Sequence, residues 1–412
     1  MVDARSLIRR GRAFEFYARH LWRFHRLLAR GHLRRRCERC SVSEAFSPLG
    51  PDGICGECHA PANAAVRPGQ EPDGRPEALR AELDRLLREH QGKGPGLHDA
   101  LVMLSGGKDS ALLLLELRRR YPGLRLLALT IDNSFMSPIA LENCRQVAEK
   151  VDVDLVTLKP ARSLFEKSFR FACTGIEAGK GAFETVDRID ADLGFSLAKI
   201  YAATHRIPLL MSGLSWAQVE RLFGVQTFEV PAGQAMAKVT ATLGTDLAAI
   251  YAPEELDYWW DPGRFPRESW PRFIHPFYAW RIPEQEIRDT VVREGLIAPG
   301  NDSPLLTNNV LIPMMVLRDY LLLGYASFEP EFASQVRAGK ADRIFWRNVF
   351  EMLEHSAKTG WLLGKEVDKL AKGIGLTRQA IGMKGPVNGS RRGPPRPRPS
   401  PARESQPARS AG

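Results

Sequence analysis

Two groups of residues in this 412-residue chain have the types and spacing to do chemistry. The first is Ser105-Gly106-Gly107-Lys108-Asp109-Ser110. It follows the apolar run Ala100–Leu104 and precedes a helix-forming run, Ala111–Arg120, which Pro122-Gly123 stops. A strand, a glycine turn and a helix N-terminus make an anion site. Free backbone N–H groups point out of the first helical turn, and the helix dipole adds about half a positive charge there. Gly106 and Gly107 let the backbone approach a phosphate with no Cβ in the way, Ser105 and Ser110 add hydroxyls, and Lys108 adds a cation. Asp109 is the odd member. A carboxylate in a phosphate loop is repelled by its ligand unless a cation stands between them, so Asp109 reads as a Mg²⁺ ligand. The pattern differs from the kinase-type P-loop, which needs glycine where this chain has Val102 and Ser or Thr where it has Asp109.

The second group is Cys37-Glu-Arg-Cys40 and Cys55-Gly-Glu-Cys58, with fourteen residues between the pairs. This is zinc-ribbon spacing: each pair sits on a tight knuckle, and Pro48, Gly50, Pro51, Asp52 and Gly53 supply hairpin turns. Four thiolates close the tetrahedron around Zn²⁺ and leave no place for water, so the ion is structural; His59 is not needed as a ligand. The alternative is a labile redox pair. Of the other two cysteines, Cys144 lies mid-helix and reads as packing. Cys173 stands where an apolar segment opens into a glycine-rich loop, residues 170–184, that carries Thr174, Lys180 and Glu184 and could border a site as a flap. A loop thiol near a phosphate-binding helix end is expected to have a lowered pKa and to react, unless it is a small buried hydrophobe.

The elements around the loop alternate. Arg125–Ile131 reads as a strand ending in Asp132-Asn133-Ser134, Ile139–Lys150 as a helix, and Val153–Leu158 as a strand. Asp187–His205 reads as a helix and Pro208–Met211 as a strand ending in Ser212-Gly213. Such alternation predicts an α/β fold with a doubly wound, mainly parallel sheet, whose ligands sit at the carboxyl ends of the strands. The turns at 105–110, 132–134 and 212–213 all fall at such ends and are expected to converge on one crevice.

Net charge is +10, but residues 1–36 carry +9 and residues 386–412 carry +5, which leaves −4 for the remainder. The basicity is in two appendages, which weakens the case for the body as a nucleic-acid platform. No apolar run reaches the roughly 18 residues of a membrane span. Charges interrupt every apolar run before Cys37, unlike a cleavable signal, and the expected compartment is a reducing cytoplasm. The expected organisation is a basic amphipathic helix (1–36), the ribbon (37–60), a linker and helix (61–97), the phosphate-loop domain (98–217), a mostly helical substrate or oligomerisation region (218–384) and a disordered tail (385–412). In the first helix, Phe14, Tyr17, Leu21, Phe24 and Leu28 are expected to share a stripe, widened by Trp22 and Leu27. It would meet the protein's own body, a second copy, RNA or an anionic membrane face. The aromatic stretch from Tyr258 to Trp280 reads as an interface or the core of a small lobe. Pro283–Glu294, Asn309–Leu323 and Arg343–Glu354 read as helices, and Val367–Ile381 as two short ones around Gly373.

Ser105–Ser110, placed after a strand, resembles the SGGxDS loop of the PP-loop ATP pyrophosphatase superfamily. Those enzymes cleave ATP between the α and β phosphates and adenylate a substrate oxygen. By that resemblance, which spans residues 98–217, Asp132 and Asn133 stand at the turn that meets the ribose and adenine. Ser212-Gly213 stand at the later glycine turn near the α-phosphate, and Lys108 and Asp109 are the catalytic pair on Mg²⁺–ATP. A zinc ribbon before such a loop is similar to two groups: the N-acetyl sugar amidotransferases of surface-polysaccharide biosynthesis and the tRNA two-thiouridine sulfurtransferases. The ribbon sequence and His275-Pro-Phe-Tyr-Ala-Trp280 resemble the first more closely. Gly213-Leu-Ser-Trp-Ala-Gln218 departs from the Gly-His-Asn-x-Asp-Asp of the thiolases, and Leu214 departs from the acidic residue of the amidotransferases. The first resemblance implies a small-molecule acceptor and ammonia from a separate glutaminase; a homo-oligomer is expected besides. The second implies tRNA and a sulfur-carrying Cys173. A nucleotide-binding scaffold is the non-enzymatic alternative.

Overall fold

The computed structural model describes residues 4–60, 75–175, 186–299, 301 and 310–383. Most of the expected linker, the flap residues Lys180 and Glu184, and the C-terminal tail lie outside the described residues.

Apolar runs of three to six residues build one sheet: β1 (Ala100–Met103), β2 (Leu126–Ile131), β3 (Asp154–Leu158), β4 (Leu209–Met211) and β5 (Arg272–Ile274). All pairings are parallel and the order is β3-β2-β1-β4-β5. The chain steps outward from β1 to β3, then crosses back to β4 on the other side of β1. A parallel sheet opens a crevice at such a reversal, at the carboxyl ends of β1 and β4. Helices cover both faces. Arg75–His90, Lys108–Arg120 and Pro138–Val151 pack one core, and Val186–Thr204 packs another with Trp260 and Phe273. The 138–151 helix is delimited locally: Ser137 accepts a hydrogen bond from the Ala140 amide at 3.0 Å, Pro138 opens the first turn, and Asp152 ends it in the left-handed region.

The doubly wound α/β architecture is as expected, with one correction. The sheet does not end at 217. Its fifth strand comes from the aromatic stretch, pairing Phe273 with Leu210. Trp259, Trp260, Phe273, Phe277 and Tyr278 are core residues of this fold rather than of a separate lobe. Beyond β5 the chain is helical: Glu284–Arg293, Ile312–Leu322, Glu329–Arg337, Arg343–Thr359 and Gly364–Gly373.

The N-terminal arm is helical from Ala4 to His32, but not uniformly. Ala4–Phe16 and Trp22–Ala29 are joined by a π turn at Tyr17–Leu21. The wider turn rotates the second helix relative to the first, and the expected stripe is split. Ala18, Trp22 and Ala29 are buried against the 343–359 helix, where Trp22 Nε1 donates to Glu351 (2.8 Å) and Asn348 donates to the Ala18 carbonyl (2.8 Å). Phe14 and Tyr17 are half-buried, whereas Leu21, Phe24 and Leu28 face solvent.

The ribbon is fixed to the helical region by buried charge. Arg36 donates to Glu329 (2.8 and 3.2 Å) and Glu354 (3.1 Å), and Glu329 also accepts from the Ser43 amide (3.2 Å) and the Tyr320 hydroxyl. Ala333 of the 329–337 helix packs directly on the cysteines.

Candidate active site

β1 and the 108–120 helix hold the Ser105–Ser110 loop, the expected phosphate site, between them. The Ser110 hydroxyl donates to the Gly107 carbonyl (3.1 Å) and accepts from the Ser105 amide (3.2 Å), so the two serines staple the turn. Gly107 occupies the N-cap without a side-chain cap, which leaves first-turn amides for an anion. Two glycines are set by close approach. Gly106 has φ +76°, and a Cβ there would stand 2.1 Å from the Ala140 carbonyl oxygen. A Cβ on Gly213 would meet the Ser110 nitrogen at 3.0 Å and the Asp109 carbonyl carbon at 3.1 Å. The loop is therefore clamped between the backbone of the 138–151 helix and the turn after β4. Asn143 adds a bond from its amide to the Gly106 carbonyl at 2.9 Å.

Lys108 and Asp109 pair at 2.8 Å at the mouth, with Asp109 40% exposed. Burial works against the Lys108 charge, but Asp109, Glu284 and Glu331 outweigh it and hold the ammonium above its usual value. Glu284 opens the 284–293 helix, and Glu331 lies in the first turn of the 329–337 helix. Burial pushes the Glu331 carboxyl up to about 7, against Arg221 and with help from Asp109; it accepts from Ser215 Oγ at 3.1 Å. Burial also lifts Glu284, against Lys108 and Arg288, and its buried Oε1 has no partner among the described residues. One helical turn beyond Glu284, a cavity of ≈540 Å³ opens between this helix and the N-terminal arm. Arg19, Arg288 and Arg293 give it cationic walls, with Gln285 and Asp289 alongside.

At the end of β2, Asp132 and Asn133 are buried and already engaged. Asp132 pairs with Lys159 (2.8 Å) and accepts from the Ser134 amide; Asn133 donates to Asp190 (3.0 Å) and accepts from the Phe135 amide. These bonds shape the turn. At the end of β4, Ser212 Oγ lies 2.8 Å from Nδ1 of fully buried His275. Burial, reinforced by Lys199, pushes the imidazole down to about 3, so it is neutral.

The expectation for Cys173 is corrected. It belongs to the Arg162–Thr174 helix, not to a loop, and is fully buried among apolar residues. Burial pushes its thiol up to about 12, the opposite of activation. Cys144 is buried packing, as expected, with its thiol pushed up to about 11.

The four ribbon sulfurs lie within 4.8 Å of one another, all buried, with Cys37–Cys58 at 3.8 Å and Cys40–Cys55 at 3.6 Å. The Arg39 and Cys55 amides point at Cys37 Sγ, each at 3.4 Å. Four converging soft donors with amide support suit Zn²⁺ in a closed, structural site. His59 is exposed and pairs with Asp52 at 3.0 Å, away from the sulfurs.

Asn143, His275, Glu284 and Glu331 were not singled out as site residues by sequence reasoning. Asn143 has a local signal, a polar residue on an apolar helix face. His275 opens a segment that the resemblance singles out, but not as a site residue; Glu284 and Glu331 enter from distant segments and have no signal.

No family model matches the chain. The uncharacterized protein MJ1599 of Methanocaldococcus jannaschii is 32% identical over 95 residues, 23% of this chain and 34% of that protein. The chain thus spans about a third of the length of this relative. The fold is similar in part to NH3-dependent NAD synthetase of Campylobacter jejuni, with 16% identity, 39% of this chain, 64% of that chain and a TM-score of 0.27. It is similar to the U34-tRNA thiolase NcsA of Methanococcus maripaludis with its 4Fe–4S cluster (12%; 75% and 87%; TM-score 0.31). NMN synthetase of Francisella tularensis gives 13% identity over 55% of this chain and 79% of that chain, with a TM-score of 0.29.

Proposed function

We propose that the chain is an AMP-forming enzyme of the PP-loop ATP pyrophosphatase type, which adenylates an acceptor oxygen and then admits ammonia to displace AMP. The observation that carries this reading is the loop itself. Ser105–Ser110 is clamped by the Ala140 and Gly213 backbones, keeps its first-turn amides uncapped, and sets Lys108 and Asp109 at its mouth. Bound there, the β and γ phosphates of ATP meet the loop amides. The acceptor oxygen attacks the α-phosphorus, the bond to the β-phosphate oxygen breaks, and pyrophosphate leaves against the amides and Lys108. Mg²⁺, held by Asp109, would supply charge neutralisation between that carboxylate and the phosphates. The N–H groups need no movement at the moment of transfer, because the serine staple and both glycine contacts are already formed.

The cavity walled by Arg19, Arg288 and Arg293 would suit a small acceptor that carries a carboxylate or phosphate. A sugar of surface-polysaccharide biosynthesis is one member of that class. Nitrogen is favoured over sulfur by the burial of Cys173, the one cysteine the sequence left for sulfur chemistry. A separate glutaminase is the partner that this reading calls for, to deliver the ammonia.

ATP–pyrophosphate exchange with ammonium salt and a panel of uronate and phosphorylated sugars tests the reading. Acceptor-dependent pyrophosphate and AMP are expected. Release of orthophosphate and ADP instead would overturn it, and AMP formation only with tRNA and a sulfide source would replace it with sulfur transfer.

A further inference from the structure

We infer that the N-terminal arm is a docking element for an anionic lipid surface. The π turn at Tyr17–Leu21 is what builds it. On an uninterrupted helix, residues spaced by four drift about 40° around the axis at each step. The wider turn offsets part of that drift, and Phe16, His20, Phe24 and Leu28, spaced by four, make an exposed ridge. Phe16 and His20 rings are in contact at 4.8 Å. Phe16 is 57% exposed, Phe24 61%, Leu27 58% and Leu28 84%, with Leu21 at 41% on the flank. Most of the large apolar side chains that the described residues expose are thus on one short arm, while Ala18, Trp22 and Ala29 anchor its other side.

The ridge is set in cations. From Ala4 to His32 the arm carries eight Arg and a single acid, Glu15. Arg23 lies over the Phe24 ring at 4.6 Å, and neither Arg23 nor Arg30 makes an ion pair among the described residues. A second copy of the chain would bring two such basic surfaces face to face. An RNA would engage the guanidinium groups and leave Leu27 and Leu28 in water. A bilayer surface with anionic headgroups takes both: the rings and leucines sink to the acyl boundary while the arginines stay at headgroup level. No helix among the described residues is long and apolar enough to cross a membrane, so the arm would lie on the surface.

The test is co-sedimentation of the full chain with vesicles of phosphatidylcholine, alone or mixed with phosphatidylglycerol. Binding is expected only to the mixed vesicles and is expected to weaken with salt. Phe24→Asp/Leu28→Asp should lower the bound fraction about tenfold, and Arg23→Glu/Arg30→Glu should abolish the preference for anionic lipid. Both pairs are exposed, so thermal melts and pyrophosphate exchange should match wild type. Wild-type protein left in the supernatant with both vesicle types overturns the inference. So does light scattering that finds a wild-type dimer and a monomeric Phe24→Asp/Leu28→Asp protein, or RNA binding that this variant retains.

Discussion

The ribbon and the phosphate loop are both short runs of small residues, yet their donors point in opposite senses. In the ribbon, four sulfurs converge and are buried, and the Arg36 side chain beside them is fully covered by Glu329 and Glu354. In the loop, serine hydroxyls and glycine contacts fix the backbone while the amides and the Asp109 carboxylate stay presented outward. A site that holds an ion permanently can be closed, and a site that turns over must remain open. The 329–337 helix connects the two. Glu329 takes the ribbon's Arg36, and Glu331, on another face, acts on Lys108 and Asp109. The ribbon thus helps to set the position of an acid at the mouth of the loop.

The largest effect should come from the closed site. Cys37→Ser/Cys40→Ser should take zinc from one per chain to none, by elemental analysis, and abolish the cooperative thermal transition. Arg36→Ala, which leaves Glu329 buried without its cation while Glu354 keeps Lys358, should cost about 3–5 kcal/mol in urea melts. A zinc-free double variant that still melts like wild type would show that the ribbon is an appendage, and the comparison would fail.

The open site should behave in the reverse manner. Asp109→Asn should lower pyrophosphate release about 10²–10³-fold with an unchanged melting midpoint. Unchanged release would remove the metal role from Asp109.

Legibility in the sequence divides along the same line. The loop, the ribbon and four of the strands are coded by contiguous residues, such as the apolar run before Ser105 and the two cysteine pairs. β5 was not legible, because Arg272–Ile274 is three residues long between Trp270-Pro271 and His275-Pro276. Glu331 reaches the mouth from more than two hundred residues downstream of Lys108, and Ser212 meets His275 sixty-three residues on. Spacing within a motif does not record such meetings. The buried stripe of the N-terminal arm is not legible in the sequence, because the π turn at Tyr17–Leu21 breaks the 3.6-residue period.

A smaller effect should mark the link between the two sites. The Glu331 carboxyl is raised from 4.5 to about 7 by burial. At low pH it is protonated in both the folded and unfolded chain and has no pH-dependent cost. As pH rises from about 4.5 through about 7, the unfolded chain ionises more readily than the folded one, and stability is lost. Glu331→Gln should therefore match wild type near about pH 4.5 and exceed it by roughly 1–2 kcal/mol near about pH 8.5, in paired denaturant melts. Equal slopes for the two proteins would place Glu331 in solvent rather than against Asp109.

The smallest effect on chemistry should come from Cys173, and it separates nitrogen from sulfur transfer. A sulfurtransferase that used this thiol would have to ionise and expose it. Full burial in the 162–174 helix and a thiol pushed up to about 12 oppose both. Cys173→Ala removes one buried sulfur from a core shared with Phe169 and Leu317, and should cost about 1 kcal/mol of stability. Pyrophosphate exchange and ammonia-dependent product formation should stay within about twofold of wild type, because ammonia needs no protein thiol to attack an adenylate. The assay uses ammonium salt in place of a glutaminase, with circular dichroism to establish folding. A folded Cys173→Ala protein that exchanges pyrophosphate normally yet forms no product would show that the adenylate is consumed through this thiol. That outcome would require the 162–174 helix to open during turnover.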